Sequence, residues 1–261
     1  MAFSGWSDAG EAATASVDRL IDHWDAQLFA TIDAEAFYVF TSTRPHVELT
    51  PTGSRRLIWP ENEFYWATLP GTEQPVVFIR GNEPQLCWRT FAGLVTEVIL
   101  TMDPTMVVTL GALLADVPHS RPTVVYGTSD DPATAERLEL ERPSYEGPTG
   151  ILGVLHASLA AHALASASIW AAVPTYVPSA VSPKASLALT ERLATLVDVA
   201  IDVTDLEIRA SDYERQVSEF VSQDEDTAAY VAELEEQYDD GIEPSPDQLV
   251  QEVEQFLREQ S

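Results

Sequence analysis

An α/β domain built on a mostly parallel sheet, sheathed on both faces by helices, is the fold this 261-residue chain predicts. Three observations predict it. Residues 147–177 read as a helix, with Ile151, Leu152, Leu155, Leu159 and Leu164 on a broad apolar face, leading into a short run of small and apolar residues over 166–173 that fits a strand buried on both sides. Residues 76–127 read as strand, helix, strand, short helix, strand with tight links, an order that belongs to crossover units. Finally, 45% of the residues are hydrophobic, enough for one large core. We divide the chain into an α/β core over residues 1–200 and an acidic helical extension over 201–261.

The first element is the end of a strand at Met1–Trp6, short enough to fit a chain trimmed at its start. Asp8, with Glu11 three residues on, has the spacing of a capping box for a helix reaching about Trp24. Gly5 and Gly10 carry phosphate-loop spacing, but Glu11-Ala12 stands where lysine and a hydroxyl residue are needed, and a carboxylate there repels phosphate. From Gln27 to Thr68 the pattern is a β-meander through 28–32, 36–40, 46–50, 55–60 and 63–69, broken by Pro and Gly. Within it Arg44, Arg55 and Arg56 lie beside Trp59, Phe64, Tyr65 and Trp66, residue types that concentrate energy in protein contacts, although a plain core hairpin reads equally well.

Residues 76–80 predict a buried strand, 88–102 a helix, 105–111 a strand, 112–116 a short helix and 123–127 a further strand. Loops at strand ends are where such sheets bind ligands. Here they offer Gly81–Pro84, Asp116–Pro122 and Gly127–Asp130. Ser182 caps the next helix, which begins at Pro183. Beyond Asp202 about a third of the residues are acidic. Even so, Tyr213, Val217 and Phe220, then Tyr230, Leu234 and Tyr238, then Leu249, Val253 and Phe256 recur at helical spacing, predicting three amphipathic helices that need a surface to lie on.

The formal net charge is −28, which argues against nucleic acid and anionic membranes as partners. The single cysteine, Cys87, rules out an internal disulfide and suits a reducing cytoplasm; beside Trp88 and Phe91 it reads as a core residue. No uninterrupted apolar run of about 18 residues and no signal peptide is present, so we expect a cytoplasmic protein. Nucleophile-elbow, zinc-protease, phosphate-loop and dinucleotide signatures are all missing. His156 and His162, six residues apart, point roughly 240° apart around a helix, so one metal ion cannot easily take both, and we expect no metal and no cofactor. His119, in a proline-bracketed loop, reads either as an acid, base or anion contact or as part of a rigid turn. Gly147, Gly150 and Gly153 permit close approach at a helix start, whose free N–H groups suit an anion, though close packing alone also needs them. Lys184, the only lysine, sits unfavourably at a helix start, which hints at a carboxylate partner.

The segments GWSDAGEAA, FYVF followed by RP, IWPENEF, GNEPQLCWRTFA, TLGALLADVPHSRP, PTGILGVLHA, SASIWAAVPTYV and SPKASLALTERL together resemble the proteasome assembly chaperone 2 family in its actinobacterial branch. The resemblance runs over roughly residues 2–238, with the blocks in order. Val39 departs from it, standing where many relatives carry aspartate. The resemblance implies a three-layer α/β/α fold of the phosphorylase/hydrolase-like kind, a C-terminal helical extension and homo-oligomers, with a trimer as the expected form. In eukaryotic and archaeal relatives the implied role is to bind proteasome α subunits, often through a C-terminal hydrophobic-tyrosine-X tail. This chain ends Arg258-Glu259-Gln260-Ser261, so docking in that manner is not expected.

Two functions follow as expectations. The first is a non-catalytic binding or assembly protein whose partners are other polypeptides, proteasome subunits among them, with Trp6, Asp8, Arg44, Glu83, His119, Arg121 and Gly150 as contact candidates. The second is an enzyme of the phosphorylase/hydrolase-like kind or a carboxylate-amine ligase, with Asp8, His119 and Lys184 catalytic and Arg44, Glu83 and Arg121 around the same cleft. Convergence of those side chains on one deep pocket would favour the enzyme; dispersal into structural pairs would favour the binding protein.

Overall fold

The computed structural model describes residues 1–241. Its strands are β1 (Ala2–Ser4), β2 (Gln27–Ile32), β3 (His46–Leu49), β4 (Arg55–Ile58), β5 (Asn62–Thr68), β6 (Pro75–Asn82), β7 (Val107–Ala115), β8 (Val125–Thr128) and β9 (Ser166–Pro174). Its helices are α1 (Ala12–His23), α2 (Trp88–Met102), α3 (Pro132–Leu138), α4 (Ile151–Ala161), α5 (Pro183–Val197), α6 (Thr204–Val221) and α7 (Glu225–Asp239).

Two sheets, ordered β1-β6-β5-β2 and β7-β9-β8, are joined through the first eight residues. The Met1 nitrogen donates to Val108 O at 2.7 Å, Leu110 N–H to Met1 O at 2.8 Å and Ala112 N–H to Ser7 O at 2.8 Å. A parallel bridge between Asp8 and Ala112 continues the seam. The centre is parallel, β1 with β6 and β7 with β9, whereas β2, β5 and β8 pair antiparallel toward the margins. β3 and β4 form a separate two-stranded antiparallel ribbon.

Alternation along the central strands divides the core into two layers. Phe3, Phe64 and Ile79 meet Phe91 and Val95 of α2 and Ile151, Leu155 and Leu159 of α4. Ala2, Leu110, Ala112, Ile169, Ala171 and Val173 meet Val17 and Leu20 of α1 and Ala185 and Leu189 of α5. Each buried Val, Leu, Ile or Phe contributes about 1.5–3 kcal/mol when taken from water, and each alanine less, so the sandwich is held chiefly by these two seams. β9 is buried at every position except Trp170, as its sequence predicts. α6 lies on α5, and Tyr213, Val217 and Val221 of α6 with Val231 of α7 pack on Tyr176, Val177 and Ala180. The third amphipathic helix predicted for the tail lies outside the described residues.

Several local expectations are corrected. Residues 112–116 are not a helix: β7 runs on to Ala115, because residue-by-residue pairing with β9 from Val107/Ser166 to Ala115/Pro174 outweighs the helix propensity of Ala-Leu-Leu-Ala. Residues 36–40 form turns rather than a strand, although Phe37 and Tyr38 are buried. Phe220, expected on the apolar stripe of α6, faces outward at 55% exposure, and Val221 takes the buried place. Cys87 is exposed, not core; it is the N-cap of α2, with a left-handed φ of 54°, and so stands outside the helix whose apolar face packs on the core.

Candidate functional site

The sequence-predicted residues fall into three separate places rather than one. Around the seam, Glu83 ties three elements together: its Oε1 accepts from Ile151 N–H at 2.8 Å and its Oε2 from Trp6 N–H at 3.1 Å. Gly150 is the α4 N-cap and has no side chain to cap with, so the carboxylate at the end of β6 supplies that cap. A Cβ at Gly150 would stand 2.8 Å from Trp6 Cε3 and 3.0 Å from Glu83 Oε1, so only glycine fits. The anion suited to this helix start is therefore the chain's own carboxylate.

Asp8, beside this cluster, caps α1. Its Oδ1 accepts from Ala13 N–H at 2.7 Å and Thr14 N–H at 3.2 Å, and its Oδ2 from the Thr14 hydroxyl. The capping box fails in detail because Gly10 (φ 60°) and Glu11 (φ 53°) turn left-handed and insert an extra 3₁₀ turn before the helix. Burial pushes the Asp8 carboxyl above its ordinary range, and the hydrogen bonds from Thr14 and Ala13 only partly offset this.

His119, Arg121 and Lys184 gather elsewhere, where α6 and α7 meet the core. Lys184 Nζ donates to His119 O and to the Glu214 carboxylate, supplying the partner its helix-start position called for. His119 Nε2 lies 2.9 Å from Ser218 Oγ and its Nδ1 2.9 Å from Tyr176 OH. Burial, then the Lys184 charge, holds the imidazole below its usual pKa. Arg121 grips Asp239 with Nε–Oδ1 at 2.8 Å and Nη2–Oδ2 at 2.7 Å, and its Nη1 is 3.6 Å from Glu235. Asp116 accepts from Thr175 Oγ1 at 2.7 Å and from Tyr230 OH. These groups fasten the extension to the core.

Arg44 is exposed and far from both clusters in chain position, leading into the β3–β4 ribbon. That ribbon presents Val47, Leu49 and Leu57 at 57%, 73% and 54% exposure together with Arg55 and Arg56.

A cavity of about 930 Å³ opens at the carboxyl ends of β1, β7 and β9, roofed by α4 and residues 139–149. Of the predicted residues Trp6 and Asp8 line the cavity, whereas Arg44, Glu83, His119, Arg121, Gly150 and Lys184 do not. Sequence reasoning missed Trp170, Tyr126 and His156 on its wall. A tryptophan within an otherwise small-residue strand was the available signal. Among the described residues no group of three His, Cys, Asp or Glu side chains is placed to hold a metal, and no helix is long and apolar enough to cross a membrane.

Joined sheets between two helical layers, with added helices buckled to the core and a separate exposed ribbon, define a class of α/β/α protein rather than a reaction. Within that class the match is specific: the family model described as PAC2 covers residues 2–221, and the chain belongs to the PAC2 family. A PAC2 family protein from Streptomyces avermitilis is 40% identical, with a TM-score of 0.82 over 88% of this chain and 97% of its own. A proteasome-assembly chaperone homologue from Mycobacterium tuberculosis is 39% identical, with a TM-score of 0.79 over 88% and 98%. An archaeal proteasome activator from Pyrococcus furiosus, 17% identical with a TM-score of 0.65 over 81% and 89%, shares the fold. No curated protein matches.

Proposed function

We propose that this chain is a non-catalytic, assembly-chaperone-like protein that acts by holding other polypeptides, and that proteasome subunits are among its partners. The observation that carries the reading is the β3–β4 ribbon. A two-stranded ribbon with no core behind it gains little from its own folding, yet this one displays Val47, Leu49 and Leu57 beside Arg55 and Arg56. Apolar and arginine side chains grouped on a projecting surface are suited to a protein contact. The family supports the same reading by analogy, through the Mycobacterium relative described as a proteasome-assembly chaperone homologue. Self-association, with a trimer as the expected species, forms part of this proposal.

The test mixes the purified full chain with purified proteasome α subunits from its host and follows complexes by native mass spectrometry. Complex formation is expected, and Leu49→Asp combined with Leu57→Asp should weaken it by about tenfold or more while leaving the melting temperature nearly unchanged, because both side chains are exposed. Absence of a complex, or undiminished binding by the double variant, overturns the reading.

A further inference from the structure

The cavity at the strand ends is lined by no residue of the β3–β4 ribbon, and its walls have a chemistry of their own. Trp6, Tyr126, Tyr145 and Trp170 line it, two tryptophans and two tyrosines contributed by four different segments of the chain.

Trp170 is held in place from below. Its Nε1–H donates to Ser168 Oγ at 2.8 Å, and Ser168 accepts from Thr109 Oγ1 at 2.9 Å. Thr109 in turn meets His156 Nε2 at 2.8 Å, and His156 Nδ1 meets Ser166 Oγ at 2.9 Å. Gly111 leaves the space the indole needs: a Cβ there would stand 2.5 Å from Trp170 Cε3. A chain of polar side chains in the sheet and a bare backbone position thus fix one aromatic plane on the cavity wall.

The charged side chains around this wall are mostly acidic. Glu11, Asp130 and Glu141 line the cavity as exposed carboxylates and Asp8 as a buried one, against Arg142 alone. His156 adds no positive charge at neutral pH, since burial lowers its pKa to about 4.

We propose that this cavity binds a small organic cation, an amine or quaternary ammonium compound carrying a flat apolar body. The volume suits a small-molecule ligand, which sites of about 300–1,000 Å³ accommodate. Aromatic faces attract an ammonium group through their quadrupoles and receive the apolar body by contact. The surrounding carboxylates favour the same sign of charge and repel its anionic counterpart, and the strand ends are where open α/β sheets hold ligands. This site is independent of the ribbon, so failure of either proposal leaves the other standing.

The test titrates the full chain by calorimetry with phenethylammonium and, separately, with phenylacetate, which has a similar ring and opposite charge. Phenethylammonium is expected to bind once per chain and at least about tenfold more tightly than phenylacetate. Ala157→Trp, on an exposed position of α4 that lines the cavity, fills it without touching the core and should weaken phenethylammonium by about tenfold with unchanged circular dichroism. Asp130→Asn with Glu141→Gln should narrow the gap between the two probes. Equal binding of cation and anion, indifference to Ala157→Trp, or no saturable binding of phenethylammonium at millimolar concentration overturns the proposal.

Discussion

His156 shows how closely a single protonation state can be fixed by its neighbours. Thr109 spends its hydroxyl proton on Ser168, so it must accept from His156, which places a proton on Nε2 and leaves Nδ1 to accept from Ser166. A second proton on Nδ1 would force Ser166 Oγ to turn from donor to acceptor and would put a charge in a poorly solvated place. The folded pKa, lowered by burial to about 4, lies below the ordinary value of about 6.5. Stability from this residue is therefore complete above about pH 6.5 and is lost as pH falls through 4, by at most about 3 kcal/mol. Urea unfolding at pH 7.5 and pH 4.5 should show it: His156→Gln, which does not titrate, reduces the stability difference between the two conditions. An unchanged difference would mean that other groups carry the acid sensitivity. His156 could be recognised in the sequence as a histidine unsuited to metal binding, but its partners Thr109 and Ser166 come from β7 and β9, and no spacing within α4 reports them. Asp8 was more legible. A helix-capping aspartate is a local feature, and only the left-handed turn at Gly10 and Glu11 displaced its contacts to Ala13 and Thr14.

At the scale of elements, the extension is held by a buckle rather than by apolar packing alone. α6 and α7 bury modest stripes, and the polar ties at His119, Lys184, Arg121 and Asp116 determine where those stripes sit. Lys184, at 17% side-chain exposure, is more enclosed than Arg121, at 30%. Removing it leaves His119 O without that donor and Glu214 without its cation, so Lys184→Ala is predicted to destabilise the docked extension by about 1–3 kcal/mol. Hydrogen exchange across α6 should accelerate accordingly. Arg215 offers the comparison, since its pairs with Asp212 and Glu219 lie on the open side of the same helix and Arg215→Ala should leave α6 exchange unchanged. Equal effects of the two substitutions would show that the extension is fastened elsewhere. Helix starts were legible in the sequence: α2 coincides with its predicted span and α5 begins at the predicted Pro183, whereas α4 ends at Ala161, short of Leu164, which the spacing places on its apolar face. Strand direction was not. A strand's period of two is the same whichever way it runs, so β8 reads like a continuation of the crossover series and instead lies antiparallel to β9.

For the whole molecule, the decisive feature is that two sheets share one short strand. β1 pairs with β6 on one side, and on the other the backbone of residues 1–8 holds β7 through Met1, Ser7 and the Asp8–Ala112 bridge. Ala2 faces one helical layer and Phe3 the other, both essentially unexposed, so the same few residues close both cores. Opening the seam would expose α1 and α5 on one side and α2 and α4 on the other at once. The amide hydrogens of Leu110 and Ala112, which donate across it, should therefore exchange only through global unfolding. The β3–β4 ribbon is the opposite case. All its side chains from His46 to Leu57 except those at the turn base are exposed, and its amides pair only with each other. They should exchange through a local opening of small cost, many orders of magnitude faster than the seam. Native-state exchange in increasing denaturant measures both: Leu110 and Ala112 should follow the full denaturant dependence of unfolding, and Glu48 and Arg56, a hydrogen-bonded pair of the ribbon, almost none. If the seam amides exchange with a small denaturant dependence, the two sheets unfold separately and β1 does not couple them. If instead the ribbon amides are protected in the isolated protein, another copy of the chain already covers that surface, which makes self-association compete with any other polypeptide for it.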